Sequence, residues 1–127
     1  MPDTKTILIV DDSLTMLQQL TVFLEGEGFN VLKAMGAQQG LDIVRQHRLD
    51  LLIVDVNMPG MSGLEMIEQV RGIEGYANTP CFVLTTESTK PLMETGKRVG
   101  ATAWIVKPFK QEIMLRGIRK VLGIEAT

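Results

Sequence analysis

Cysteine and histidine are almost absent: each occurs once in 127 residues, as Cys81 and His47. One of each cannot assemble the Cys/His tetrad of a structural zinc site. Cys81 sits inside the apolar run Cys81-Phe82-Val83-Leu84 and reads as a reduced core thiol, not a reactive one. An excess of one charge sign is also missing. The formal net charge is −2, so nothing points to nucleic acid or a membrane surface as partner. No apolar run is long enough to span a bilayer, and the N-terminal Met1-Pro2-Asp3-Thr4-Lys5 lacks the apolar core of a signal peptide. A cytoplasmic, soluble protein is expected. There is no phosphate-binding Gly-x-x-x-x-Gly-Lys loop, no internal repeat, no low-complexity tract and no linker. The length fits one domain able to bury a core, and 45% hydrophobic with 22% charged residues is ordinary globular composition.

What is present centres on Leu51-Leu52-Ile53-Val54-Asp55-Val56-Asn57-Met58-Pro59-Gly60. Four apolar residues predict a strand buried on both faces, in the middle of a sheet. Asn, Met, Pro and Gly then end it. A carboxylate inside such a strand is costly unless paired, so Asp55 is expected at its open C-terminal end.

Around this strand the chain alternates. Strands are predicted at Ile7–Val10, Phe29–Ala34, Leu51–Val54, Cys81–Leu84 and Thr102–Val106. The second, less cleanly alternating, belongs nearer a sheet edge. Ser13 caps a helix to about Glu25, with Met16, Leu17, Leu20, Phe23 and Leu24 on one face and Gly26 and Gly28 breaking it. Further helices are predicted over about Ala37–His47 and Leu64–Arg71. Another follows a Ser88 cap to about Val99, with Pro91 in its first turn, and the last spans about Gln111–Leu122, with Met114, Ile118 and Val121 as its apolar stripe. Strand–helix repeated five times implies an α/β fold: a parallel sheet with helices on both faces.

The distinctive polar residues recur at one place in successive units. Asp11 and Asp12 follow the first strand, Asp55 the third, Thr85 the fourth and Lys107 the fifth. In a parallel sheet all C-terminal strand ends share one edge, so these residues converge there. Three crowded carboxylates repel, and their proton affinities rise unless a cation is near. A hard cation bound through oxygen, Mg²⁺ or Mn²⁺, suits them, and the backbone carbonyl of Asn57 can add an oxygen. Asp55 then keeps one oxygen free as a nucleophile. A phosphoryl group arriving on it finds the metal, the Lys107 ammonium and the Thr85 hydroxyl for its three oxygens. Singly, each residue has an ordinary explanation: a turn and N-cap pair, a strand-end threonine, a surface lysine. Five at equivalent strand ends do not.

These motifs carry a resemblance covering the whole chain. Asp11-Asp12-Ser13, Asp55-Val56-Asn57-Met58-Pro59-Gly60-Met61-Ser62-Gly63, Leu84-Thr85-Thr86-Glu87 and Val106-Lys107-Pro108-Phe109 resemble a response-regulator receiver domain, specifically the single-domain, CheY-like chemotaxis type. The resemblance implies a flavodoxin-like sheet of strand order 2-1-3-4-5, one receiver domain over residues 1–127 and no output domain. Asp55 is then the phosphorylation site, served by a histidine kinase. Asp11, Asp12, Asp55 and the Asn57 carbonyl form the Mg²⁺ shell. Thr85 is the switch hydroxyl and Lys107 its ion-pairing partner. Trp104 stands where the family commonly carries a tyrosine that rotates inward on activation. Trp is bulkier and donates only through its indole N–H. Asn57 and Glu87 resemble residues that tune dephosphorylation. Lys90, Met93, Trp104 and Gly117 fall on the face that such regulators use to dock on a flagellar motor switch protein. The implied protein is a monomeric phosphoacceptor that hydrolyses its own phosphate and turns over no separate substrate.

Three other readings stay in view. A phosphorelay shuttle, passing its phosphoryl group to a histidine phosphotransfer protein, shares all these motifs. A haloacid-dehalogenase-like, Mg²⁺-dependent phosphatase would open an Asp-x-Asp motif after its first strand, and here that strand ends in adjacent acids. A flavodoxin-like FMN carrier needs a Ser/Thr/Gly phosphate loop where Asp11-Asp12-Ser13-Leu14 would repel the phosphate.

Overall fold

A computed structural model describes residues 4–124. Residues 1–3, part of the N-terminal stretch read above, and residues 125–127 lie outside the described residues. The elements alternate as β1 (Thr6–Val10), α1 (Leu14–Gly26), β2 (Asn30–Ala34), α2 (Ala37–Gln46), β3 (Leu51–Val54), α3 (Gly63–Arg71), β4 (Cys81–Thr85), α4 (Lys90–Val99), β5 (Ala103–Val106) and α5 (Gln111–Leu122). The five strands form one parallel sheet ordered β2-β1-β3-β4-β5. β3 is central, as its uninterrupted apolar run requires, and β2 is an edge.

Successive side chains of a strand point to opposite faces, and the two halves of the core follow that rule. Leu8, Val10, Leu52, Val54, Cys81 and Val83 face a layer formed by α2, α3 and the end of α4. Ile7, Ile9, Leu51, Ile53, Phe82 and Leu84 face α1 and α5. The helices supply Leu41, Val44, Ile67 and Val70 to the first layer and Leu17, Leu20, Leu24, Met114 and Ile118 to the second. No helix among the described residues is long and apolar enough to cross a membrane.

Several expectations shift. α1 runs through Gly26, and the break falls at Gly28, whose φ of +95° suits glycine. Phe29 is buried ahead of β2, which begins at Asn30. Thr85 is the last residue of β4, paired with Val106, instead of following the strand. Thr89, not Ser88, occupies the N-cap of α4, and no side chain caps it. Pro91 lies in that first turn, where a capping oxygen would otherwise find an N–H to bind. On α5, Val121 is 36% exposed, because Met114 and Ile118 already fill the contact with the sheet.

Two structural devices anchor the helix ends. Ser62 and Glu65 form a reciprocal capping box at the start of α3. Arg71 donates to the carbonyls of Tyr76 (2.8 Å), Thr79 (2.6 Å) and Gly100 (2.6 Å), tying the ends of α3 and α4 to the loop before β4.

Candidate functional site

Register brings the acids together. Val10 pairs with Val54 across β1 and β3, so Asp11 and Asp55, each one residue further, emerge side by side. The Asp55 N–H donates to the Val10 carbonyl (2.9 Å) and the Asp11 N–H to the Ala34 carbonyl (3.1 Å), so both backbones still belong to the sheet. Asp11 and Asp55 are buried at 2% and 7% exposure, whereas Asp12 is exposed. One carboxylate oxygen from each of the three lies within 4.8 Å of the others.

Lys107 reaches this cluster from the far side of the sheet. Its N–H donates to the Thr85 carbonyl (2.8 Å), which fixes the residue just beyond β5. Its ammonium then lies 2.9 Å from Asp11 Oδ2 and 3.5 Å from Asp55 Oδ2. Asp11 Oδ1 accepts from the Ser13 N–H (2.9 Å), and Asp55 Oδ1 accepts a long bond from the Asn57 N–H (3.4 Å). Burial raises the Asp55 carboxyl above its ordinary value; the Lys107 charge opposes this, the Asp11 charge adds to it, and the Asn57 N–H and Thr85 hydroxyl oppose it. A nearby cation would favour the charged form that burial disfavours. Two buried acids and one exposed acid, all hard oxygen donors, with one lysine among them, fit a small divalent ion open to water on one side.

The remaining predicted residues form a chain leading away from Asp55. Thr85 is fully buried, and its hydroxyl oxygen accepts from the Glu87 N–H (3.3 Å). The Glu87 carboxylate accepts from the exposed Asn57 amide (3.2 Å), bridging the loops after β3 and β4. The Glu87 carbonyl accepts from the Trp104 indole N–H (2.9 Å). The Trp104 ring lies against Gly96 of α4; a Cβ there would stand 2.9 Å from Cζ3 and 3.1 Å from Cε3. Trp104 is thus half-buried and packed on α4.

Of the proposed partner face, Lys90 is exposed, Met93 is 38% exposed, and Gly117 is half-buried beside Phe82. Trp104, Val106, Phe109, Ile113 and Gly117 line a cavity of about 520 Å³ between β5 and α5. Cys81 is fully buried, and burial pushes its thiol up to about 11, as a core thiol requires. Two residues with contacts at the site, Gly63 and Gly96, have no role that the sequence assigns. Both matter through close approach of remote atoms, which no local pattern reports.

A family model described as the response regulator receiver domain matches residues 7–119. Protein PilH of Pseudomonas aeruginosa is 36% identical over 117 residues, covering 92% of this chain and 97% of PilH. The chain spans about half of other curated relatives, such as the uncharacterized transcriptional regulatory protein YkoG of Bacillus subtilis, 35% identical with 52% of its length covered. Among solved structures, the chemotaxis protein CheY4 of Vibrio cholerae superposes with a TM-score of 0.89 at 38% identity, covering 93% of this chain and 98% of that one. A CheY-like receiver domain protein from Methanospirillum hungatei gives 0.91 at 28% identity, with 95% of each chain covered.

Proposed function

Since the chain belongs to the response regulator receiver domain family, we propose that it is a signalling switch phosphorylated on Asp55. The observation that carries this reading is the meeting of Asp11, Asp12, Asp55 and Lys107 at one sheet edge, with Asp55 nearly buried. An Asp55 carboxylate oxygen attacks the phosphorus of a phosphohistidine on a histidine kinase. The P–O bond forms, the P–N bond breaks, and its electron pair leaves with the imidazole nitrogen. The product is an acyl phosphate on Asp55. Lys107 and the Thr85 hydroxyl donate to the phosphoryl oxygens. Asp11, Asp12, Asp55 and the Asn57 carbonyl would hold Mg²⁺ or Mn²⁺, which when bound neutralises charge on the phosphoryl oxygens. Hydrolysis of the acyl phosphate resets the switch, with Asn57 and Glu87 setting its rate from the rim.

Drawing Thr85 toward the phosphoryl group pulls on the Glu87 N–H, and through the Glu87 carbonyl on the Trp104 indole. Because that indole is seated against α4, the signal passes to α4 and β5 without requiring a free rotation of the aromatic. The readout is a shift between two conformations with different affinity for a downstream protein docking near Lys90, Met93, Trp104 and Gly117. The similarity to CheY4, named as a chemotaxis protein, supports motor control as the output. The reading includes a monomeric cytoplasmic protein.

The test is incubation with acetyl phosphate, with and without Mg²⁺, followed by intact mass. A phosphoryl adduct is expected only with Mg²⁺ and only when Asp55 is present. An adduct retained in Asp55→Asn would refute the assignment. A pull-down comparing phosphorylated with unmodified protein then separates the outputs: a motor switch protein supports docking control, and a histidine phosphotransfer protein transfers the role to a phosphorelay.

A further inference from the structure

We infer that Gly63 is a positioning residue for Asp55, an inference that rests on the phosphoacceptor reading above. A Cβ on Gly63 would lie 2.0 Å from the Asp55 carbonyl oxygen, 2.8 Å from the Asp55 carbonyl carbon and 2.8 Å from Val54 Cγ1. Two of these three atoms are backbone and cannot swing aside. Gly63 is not among the glycines with positive φ, so any residue could take its backbone conformation. The approach of α3 to Asp55 is what demands glycine here. The contact is held shut by the Gly63 N–H, which donates to the Val56 carbonyl (3.0 Å).

The consequence depends on which side yields. α3 is anchored by the Ser62–Glu65 capping box and by buried Leu64, Met66, Ile67 and Val70. On the other side, Asp55 keeps one sheet bond through its N–H, and its carbonyl already belongs to the loop after β3. An added methyl group therefore displaces the Asp55–Asn57 segment. That segment carries the Asn57 N–H that bonds Asp55 Oδ1 and sets the 3.5 Å separation of Asp55 Oδ2 from Lys107, which is already long. Reacting groups tolerate only about 0.5 Å of misplacement, and about 1 Å can cost on the order of a hundredfold in rate. α3 thus acts as the backstop against which the acceptor is aligned, and the missing side chain at position 63 sets the distance.

Gly63→Ala is compared with Gly100→Ala, a control for destabilisation. Gly100 has φ +103°, and its Cβ would meet Arg71 Nε at 2.8 Å, away from the acids. Urea denaturation gives the folded fraction of each variant. The rate of phosphorylation by acetyl phosphate at saturating Mg²⁺, Mn²⁺ affinity from the free-ion EPR signal, and amide NMR shifts are then read on folded protein. Gly63→Ala is expected to lose about tenfold or more in rate, to bind Mn²⁺ more weakly, and to shift the amides of residues 55–57. Gly100→Ala should change none of these. An unchanged rate in Gly63→Ala, or an equal loss in both, overturns the inference. So does recovery in Val54→Ala/Gly63→Ala, which would trace the defect to Val54 packing instead of the Asp55 backbone. Ser62→Ala, which only releases the capping box, covers the case where Gly63→Ala does not fold; it should shift the Asn57 amide and slow phosphorylation, and no change in either sinks the inference. If the wild type takes up no phosphoryl group, the phosphoacceptor reading fails alone, and the amide shifts still decide whether Gly63 holds Asp55.

Discussion

Replacing Gly96 by alanine sets two effects of opposite sign against each other. Considered as part of a helix, α4 should gain, because alanine is better than glycine in a helix interior by about 1 kcal/mol. The tertiary contact opposes that gain. The new methyl group would sit 2.9 Å from Trp104 Cζ3 and 3.1 Å from Cε3, closer than packed carbon atoms accept. Overpacking of this kind costs about 1–3 kcal/mol. The indole can relieve the clash only by moving away from α4, which strains or breaks its 2.9 Å bond to the Glu87 carbonyl. Losing that bond costs about 1 kcal/mol more. The sum is a net destabilisation of about 1–3 kcal/mol. Urea denaturation followed by fluorescence measures it directly, since Trp104 is the only tryptophan. The midpoint should fall at unchanged slope. The native emission maximum should move to longer wavelength as the ring gains exposure. A variant more stable than wild type by about 1 kcal/mol, with unchanged emission, would show that helix propensity wins. The seating of Trp104 on α4 would then be wrong.

Asp55→Asn, in metal-free buffer, should raise stability at neutral pH. Burial raises the Asp55 carboxyl above its unfolded value of 3.8, so ionising it costs folding energy above the folded pKa. The gain should disappear as pH falls through the folded and then the unfolded value, where the native carboxyl is already protonated; a gain that persists at low pH refutes the cause. Lys107→Ala should destabilise by about 3–5 kcal/mol, the usual result of stripping one partner from a buried ion pair. Part of that loss should return with Mg²⁺, seen as a larger metal-induced rise in melting temperature than in wild type. Cys81 should react with a thiol reagent only at the rate of unfolding, because the thiol is buried and its pKa is pushed up to about 11; fast labelling of the native protein would contradict the core assignment.

Much of this was legible because it is written in local periods. Alternation in β1, β3 and β4 divides their side chains between two faces, and the helices carry 3.6-residue stripes to match. The acids were legible for a related reason: in a parallel sheet, position within the strand is enough to say which edge a residue joins. Val121 was misassigned because periodicity reports which face of a helix a residue shares, not how far the sheet beneath extends. The Ser88 cap failed because cap preference is shared by neighbouring hydroxyl residues and Pro91 alters the first turn.

The alternating parallel architecture, the central place of β3 and the gathering of Asp11, Asp12, Asp55, Thr85 and Lys107 at one edge are legible in residue order alone. Those follow from hydrophobic burial and backbone geometry, which act over a few residues at a time. That Lys107 lies closer to Asp11 than to Asp55 is visible only in the folded structure. It alone showed Glu87 linking Asn57 to Trp104 and Gly96 receiving the indole ring. The same holds for Gly63, which abuts the backbone of Asp55. These are distances between segments brought together by packing, and a difference of one methyl group in them leaves no mark on the pattern of the chain.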